Sequence, residues 1–132
     1  MVIKRIVENH PNLTFARLVD GIIHAKGIKI RELAKAVGCN RRTITRICNG
    51  DNIPKKETAI AIGIAVGLNI NQMRIFLFFA GYLFLPTILP DDKYYVYVIQ
   101  ETKGSSGMSR INACNILLAD KGKDNLLFRN YE

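Results

Sequence analysis

Apolar positions recur along this chain at helical spacing, starting at residue 13. In "LTFARLVDGIIHAKG" (13–27), Phe15, Leu18, Val19, Ile22 and Ile23 share one stripe, and Gly27 is placed to end a helix. "KIRELAKAVG" (29–38) repeats the pattern through Ile30, Leu33, Ala34 and Val37, with Gly38 as its stop. A third segment, "VGCNRRTITRICNG" (37–50), turns Ile44 and Ile47 inward and closes on Asn49-Gly50. After the turn-rich "DNIPKK" (51–56), "ETAIAIGIAVGL" (57–68) is apolar nearly all round, as a central helix should be. Asn69 or Asn71 is expected to cap the next helix, which runs through 72–85 and stops near Pro86.

Beyond Pro90 the pattern is less decisive. "DDKYYVYVIQET" (91–102) opens with acids that suit a helix N-terminus, although its Tyr/Val content also fits a strand; we read it as a helix. "GSSG" (104–107) reads as a loop. "MSRINACNILLAD" (108–120) reads as a helix through Ile111, Cys114, Leu117 and Leu118, and "KGKDNLLFRNYE" as an irregular tail. The uncharged run 75–89 is 15 residues long and contains Pro86. A membrane span needs about 20 apolar residues, so a buried helix is expected and a membrane partner is not.

Charge divides the chain. Residues 1–74 hold thirteen lysines and arginines against five acids, whereas residues 75–132 hold six of each. The entire net charge of +8 therefore lies in the first part, which is the part suited to a polyanion. Cys39, Cys48 and Cys114 have neither metal nor CxxC spacing and read as reduced thiols of a cytoplasmic protein. His10 and His24 lack partners at ligand spacing, so no metal or other cofactor is expected. "MVIKRIVENHPN" has no apolar core of signal-peptide length. Ser105, Ser106 and Ser109 have no histidine nearby in sequence, and no nucleophile–base pair or phosphate-binding loop is visible, so no enzyme is expected.

Two short helices joined across Gly38 form a helix-turn-helix pattern, with Ala34 small where the helices approach and Gly38 free to take the left-handed backbone of the turn. Asn40, Arg41, Arg42, Thr43, Thr45 and Arg46 are left toward solvent. In this motif that side enters the major groove, where arginine pairs with guanine and threonine meets a thymine methyl or a phosphate. Glu32 is the only acid between Lys26 and Gly50, so the cations lack neighbours that would neutralise them.

"IRELAKAVGCNRRTITRICNGDNIPKKETAIAIGIAVGLN" resembles the phage-repressor (Cro/cI, XRE) helix-turn-helix family. Leu33, Ala34, Gly38, Thr43, Ile44, Asn49, Gly50, Pro54 and Leu68 carry the likeness, which covers roughly residues 13–74. Ile30 stands where a Ser, Thr, Asn or Gln is usual, and Cys39 where a valine or threonine is usual. The resemblance implies a five-helix, lambda-repressor-like DNA-binding domain at 1–74 in an all-α protein. Arg41, Arg42, Thr45 and Arg46 would read bases, and Arg31, Asn40, Thr43, Asn49, Lys55 and Lys56 would meet the DNA backbone.

Residues 75–132 would form a small helical extension. "FLFFAGYLFLP", "DDKYYVYVIQET" and "SRINACNILLAD" resemble loosely, through Ala80, Gly81, Tyr82, Phe84 (where a leucine is usual nearby), Pro86, Ile111 and Asn112, an extension found on short regulators of Gram-positive bacteria and their mobile elements. Its expected role is dimerisation or partner binding through Phe76, Phe79, Tyr82 and Leu83. The function expected is that of a double-stranded-DNA-binding transcriptional regulator, a repressor acting as a homodimer on a palindromic operator. The alternative is a protein-binding module, antitoxin-like or a phage-encoded inhibitor of a host nuclease, whose helix-turn-helix autoregulates its own operon.

Overall fold

A computed structural model describes residues 2–9 and 12–128. His10 and residues 129–132 of the expected tail lie outside them. The described residues form eight α-helices and no strand: α1 (Val2–Asn9), α2 (Phe15–Lys26), α3 (Ile30–Val37), α4 (Arg41–Asn49), α5 (Lys56–Ala65), α6 (Ile70–Phe79), α7 (Asp92–Glu101) and α8 (Gly107–Asp120), followed by a 3₁₀ turn at Asp124–Leu126. The architecture is all-helical and lambda-repressor-like. The segment 91–102, open to a strand on composition, is helical, and α1 is a helix that the periodicity left unread.

The stripe of α2 is buried as its spacing requires, from Phe15 to Ile23, and Thr14 caps the helix by accepting from the backbone N–H of Arg17. α5 lies in the middle, with every residue from Ala59 to Ala65 buried. Gly63 lets Met73 of α6 pack closely there, because a Cβ at this position would sit 2.5 Å from Met73 Cε and the flexible thioether end would have to shift. A single apolar core runs from Ile3 through α5 to Phe128.

Three expectations are corrected. The helix expected at 72–85 starts and ends earlier. Asn69 and Gln72 form a reciprocal capping box (2.9 Å in each direction), which starts α6 at residue 70. Gly81, at φ 87°, turns the chain left-handed, and the Tyr82 N–H closes the end on Leu77 O at 2.9 Å. The boundary expected after residue 74 falls inside α6, whose Met73, Phe76 and Leu77 are all buried. The helical extension beyond it packs onto the first helices, with α8 on α3 and α5 sharing their core. Finally, the tail is less irregular than expected. Asn115 exchanges two hydrogen bonds with the backbone of Phe128 (2.9 and 2.7 Å), and the Phe128 ring packs on Tyr95.

Arg110 ties the last helices to the first ones. It is 1% exposed and has no acid partner among the described residues. Instead its guanidinium donates to the carbonyls of Ile64 (3.1 Å), Leu68 (2.9 Å) and Ile99 (3.0 Å) and to the Thr102 hydroxyl (2.9 Å). Carbonyls near a helix C-terminus lack intrahelical donors and carry partial negative charge, so a buried cation can rest on them. Burial still lowers the pKa of Arg110 from its ordinary value.

Candidate nucleic-acid interface

The turn between α3 and α4 is built as its residues dictate. Gly38 adopts φ 85°, and the N–H groups of Gly38 and Cys39 both close on Ala34 O, at 2.9 and 3.0 Å. Asn40 then caps α4, its side-chain oxygen accepting from the Thr43 N–H (2.9 Å) and from the Thr43 hydroxyl (3.1 Å). Ile44 and Ile47 are buried and hold the inner side of α4 on the core.

The outer side of α4 carries Arg41, Arg42, Thr45, Arg46 and Asn49, all exposed. Arg41/Thr45 and Arg42/Arg46 are i,i+4 pairs, so the four share one face. None of the three arginines forms an ion pair among the described residues. The Thr45 hydroxyl donates back to Arg41 O at 3.0 Å, leaving its γ-methyl as the group free for an apolar contact. Asn40 and Thr43 have hydrogen-bond capacity partly engaged by the cap, although Asn40 keeps its NH₂ and Thr43 an acceptor.

Around this face, Arg31 is exposed in the first turn of α3 and Lys55 is exposed just before α5. Arg17, which the sequence did not single out, lines a groove of about 590 Å³ with Thr14, Cys48, Asn49, Ile53 and Phe79. That groove sets a cation beside the end of α4. The signal for it was Arg17 in the first turn of a helix packed on α4, which only the fold reveals.

Lys56 does not join this set. Its ammonium is held by Asp92 at 2.8 and 3.0 Å, in an ion pair whose carboxylate side is 2% exposed. Lys56, expected at the DNA backbone, is thus held in an ion pair rather than left free like Lys55. Lys55→Ala should reduce the slope of log affinity against log salt by about one unit, as expected for one lost phosphate contact. Lys56→Ala should leave that slope unchanged and instead lower stability by roughly 2–3 kcal/mol in a denaturant titration, because it strands a buried carboxylate.

The residues expected at an interface in 76–83 separate into two groups. Phe76 is fully buried and packs edge-on against Phe15 with centroids 4.9 Å apart, so it is a core residue. Tyr82 is half-buried and its hydroxyl donates to Pro54 O at 2.6 Å. Phe79 is half-buried beside the groove, and Leu83 is 67% exposed. Phe78, 73% exposed and in ring contact with Phe79, is exposed like Leu83, and so is Ile53, 67% exposed and outside the segment expected at an interface.

All three cysteines are free. Burial, reinforced by the Asp20 carboxylate, pushes the Cys48 thiol up to about 11, so it is uncharged on the helix beside the arginines. Among the described residues, no group of three or more His, Cys, Asp or Glu could hold a metal ion, and no helix is long and apolar enough to cross a membrane.

Two helices packed across a glycine turn, with the second offering an uncompensated cationic face, define a helix-turn-helix DNA-binding domain. Residues 23–72 match the helix-turn-helix family model, of the Cro/cI (XRE) type, and this domain implies DNA as a partner. Domains of this family are typically non-enzymatic. No curated protein and no solved structure matches the chain.

Proposed function

We propose that the protein is a sequence-specific transcriptional repressor that binds double-stranded DNA as a homodimer. The observation that carries this reading is the outer face of α4, where Arg41, Arg42, Thr45 and Arg46 stand exposed without acidic partners among the described residues while Ile44 and Ile47 fix the helix beneath them. Arg41 and Arg46 read guanines, Thr45 offers a methyl to thymine, and Arg42 reads a base or grips the backbone. Arg31, Asn40, Thr43, Asn49, Lys55 and Arg17 meet phosphates and fix the register.

A single helix reads too few base pairs for operator-level affinity, so paired domains on half-sites about one helical turn apart supply the remainder. The exposed apolar side chains Ile53, Phe78 and Leu83, with half-buried Phe79, support pairing. Ile53 and Phe79 line the groove at the C-terminal end of α4, Phe78 is in ring contact with Phe79, and Leu83 is exposed on the α6–α7 loop. Repression follows if such a dimer covers a promoter.

Fluorescence anisotropy on a cognate duplex and a scrambled one tests the base-reading claim. Arg41→Ala and Arg46→Ala should each cost about 1–3 kcal/mol on the cognate duplex and far less on the scrambled one. Equal losses on both duplexes would reduce the two arginines to phosphate contacts.

A further inference from the structure

Two loops that are distant in sequence are fastened together at two points. Tyr82, in the 80–91 loop, donates its hydroxyl to Pro54 O at 2.6 Å in the loop between α4 and α5. Asp92, the first residue of α7, makes the second fastening. Its carboxylate takes both bonds from Lys56 Nζ and also accepts the Leu85 N–H at 2.8 Å. The carboxylate is buried, and the Lys56 ammonium also lies 5.9 Å from the centroid of the Phe84 ring. One acid therefore holds both the start of α5 and the backbone of the 80–91 loop.

The fastened pieces carry surface groups with separate tasks. Lys55, exposed and adjacent to the anchored Lys56, belongs to the first piece together with Ile53. Leu83, exposed between Tyr82 and Phe84, belongs to the second. Lys55 is the extended N-cap residue of α5 (φ −60°, ψ 157°), one peptide bond before Lys56, so anchoring Lys56 on Asp92 restricts where Lys55 is presented.

We infer that Asp92 and Tyr82 are positioning residues for DNA binding: together they lock the loop that presents Lys55 to phosphate onto the loop that presents Leu83 to a second copy. The inference rests on the DNA-binding and dimer reading above, and it adds a coupling. Neither residue needs to touch DNA. A long lysine on an unfastened loop samples many positions, and its phosphate bond must then offset that lost freedom. With the loops fastened, pairing of two copies steadies the lysine at each half-site, and DNA steadies the pair in return.

The test is a set of double-mutant cycles read on a single half-site duplex, with full-length protein whose folding is verified by circular dichroism. Lys55→Ala in the wild-type background should weaken half-site binding by about 3–10-fold and lower the salt slope by about one unit. Tyr82→Phe, which removes one hydroxyl and keeps the ring, should weaken it by roughly 2–5-fold, and Asp92→Asn by at least as much. In either background, adding Lys55→Ala should cost less than about 2-fold, since the lysine is already misplaced. If Lys55→Ala costs the same factor in all three backgrounds, the positioning role is overturned. Should Asp92→Asn not fold, the Tyr82→Phe cycle decides alone. If Lys55→Ala has no effect in the wild-type background while Arg41→Ala still weakens binding, the coupling is wrong and the DNA-binding reading stands. If neither Lys55→Ala nor Arg41→Ala weakens binding, the coupling and the DNA-binding reading are both overturned.

Discussion

Replacing Phe78 and Leu83 together with aspartate should convert tight binding of a palindromic duplex into weak half-site binding. Both side chains are more than two-thirds exposed, so the change leaves the core intact and acts on what the patch touches. Two half-sites bound by a linked pair gain about 10²–10⁴-fold over one half-site, and the double substitution should forfeit most of that gain. Two carboxylates facing their symmetry mates would add like-charge repulsion in an apolar contact. Analytical ultracentrifugation should show a wild-type dimer at micromolar concentration and a monomeric variant with an unchanged circular dichroism spectrum. A wild-type monomer that still binds one half-site would transfer the patch to a different protein partner.

The largest effect on stability should come from Arg110→Met. The substitution keeps a long apolar side chain but removes four hydrogen bonds, leaving the carbonyls of Ile64, Leu68 and Ile99 and the Thr102 hydroxyl without this donor. Ile64 O keeps the Gly67 N–H and the Thr102 hydroxyl keeps its bond to Val98 O, while a buried acceptor left with no donor costs about 1–3 kcal/mol, offset in part by relief from burying a cation. A net loss of about 3–5 kcal/mol is expected, which for a chain of this size lowers the melting temperature by roughly 10–20 °C. Urea titration monitored by circular dichroism measures it. A loss below about 1 kcal/mol would mean that apolar packing alone seats α8 on α5.

The contrast between these two sites shows how far the sequence could be read. α2 to α5 were legible because their apolar residues recur at helical spacing and because Gly27, Gly38 and Gly50 mark three of the stops, each at positive φ. The face of α4 was legible for the same reason: once Ile44 and Ile47 point inward, the arginines have only solvent left. The run 75–85 had no such contrast. Without polar residues to alternate against, nothing told buried Phe76 from exposed Phe78, and the end of α6 depended on one backbone conformation at Gly81. Lys55 and Lys56 were equivalent as letters and separate only because an acid 36 residues onward reaches one of them. Arg110 was hidden by the charge count, which scores a cation alike whether it faces solvent or sits beneath the core. The 74/75 boundary followed the change in charge, but the packing of α8 on α3 and α5 disregards it.

The central claim is that the exposed face of α4 reads base sequence, and selection of bound duplexes from random DNA tests it most directly. The wild-type protein should enrich a two-fold symmetric sequence with half-site centres one helical turn apart, about 10 base pairs, and with guanine at fixed positions in each half. Repeating the selection with Arg41→Ala and with Arg46→Ala should erase the preference at distinct positions while leaving the spacing unchanged. Absence of any enriched sequence, or a motif unaltered by both substitutions, would contradict the account.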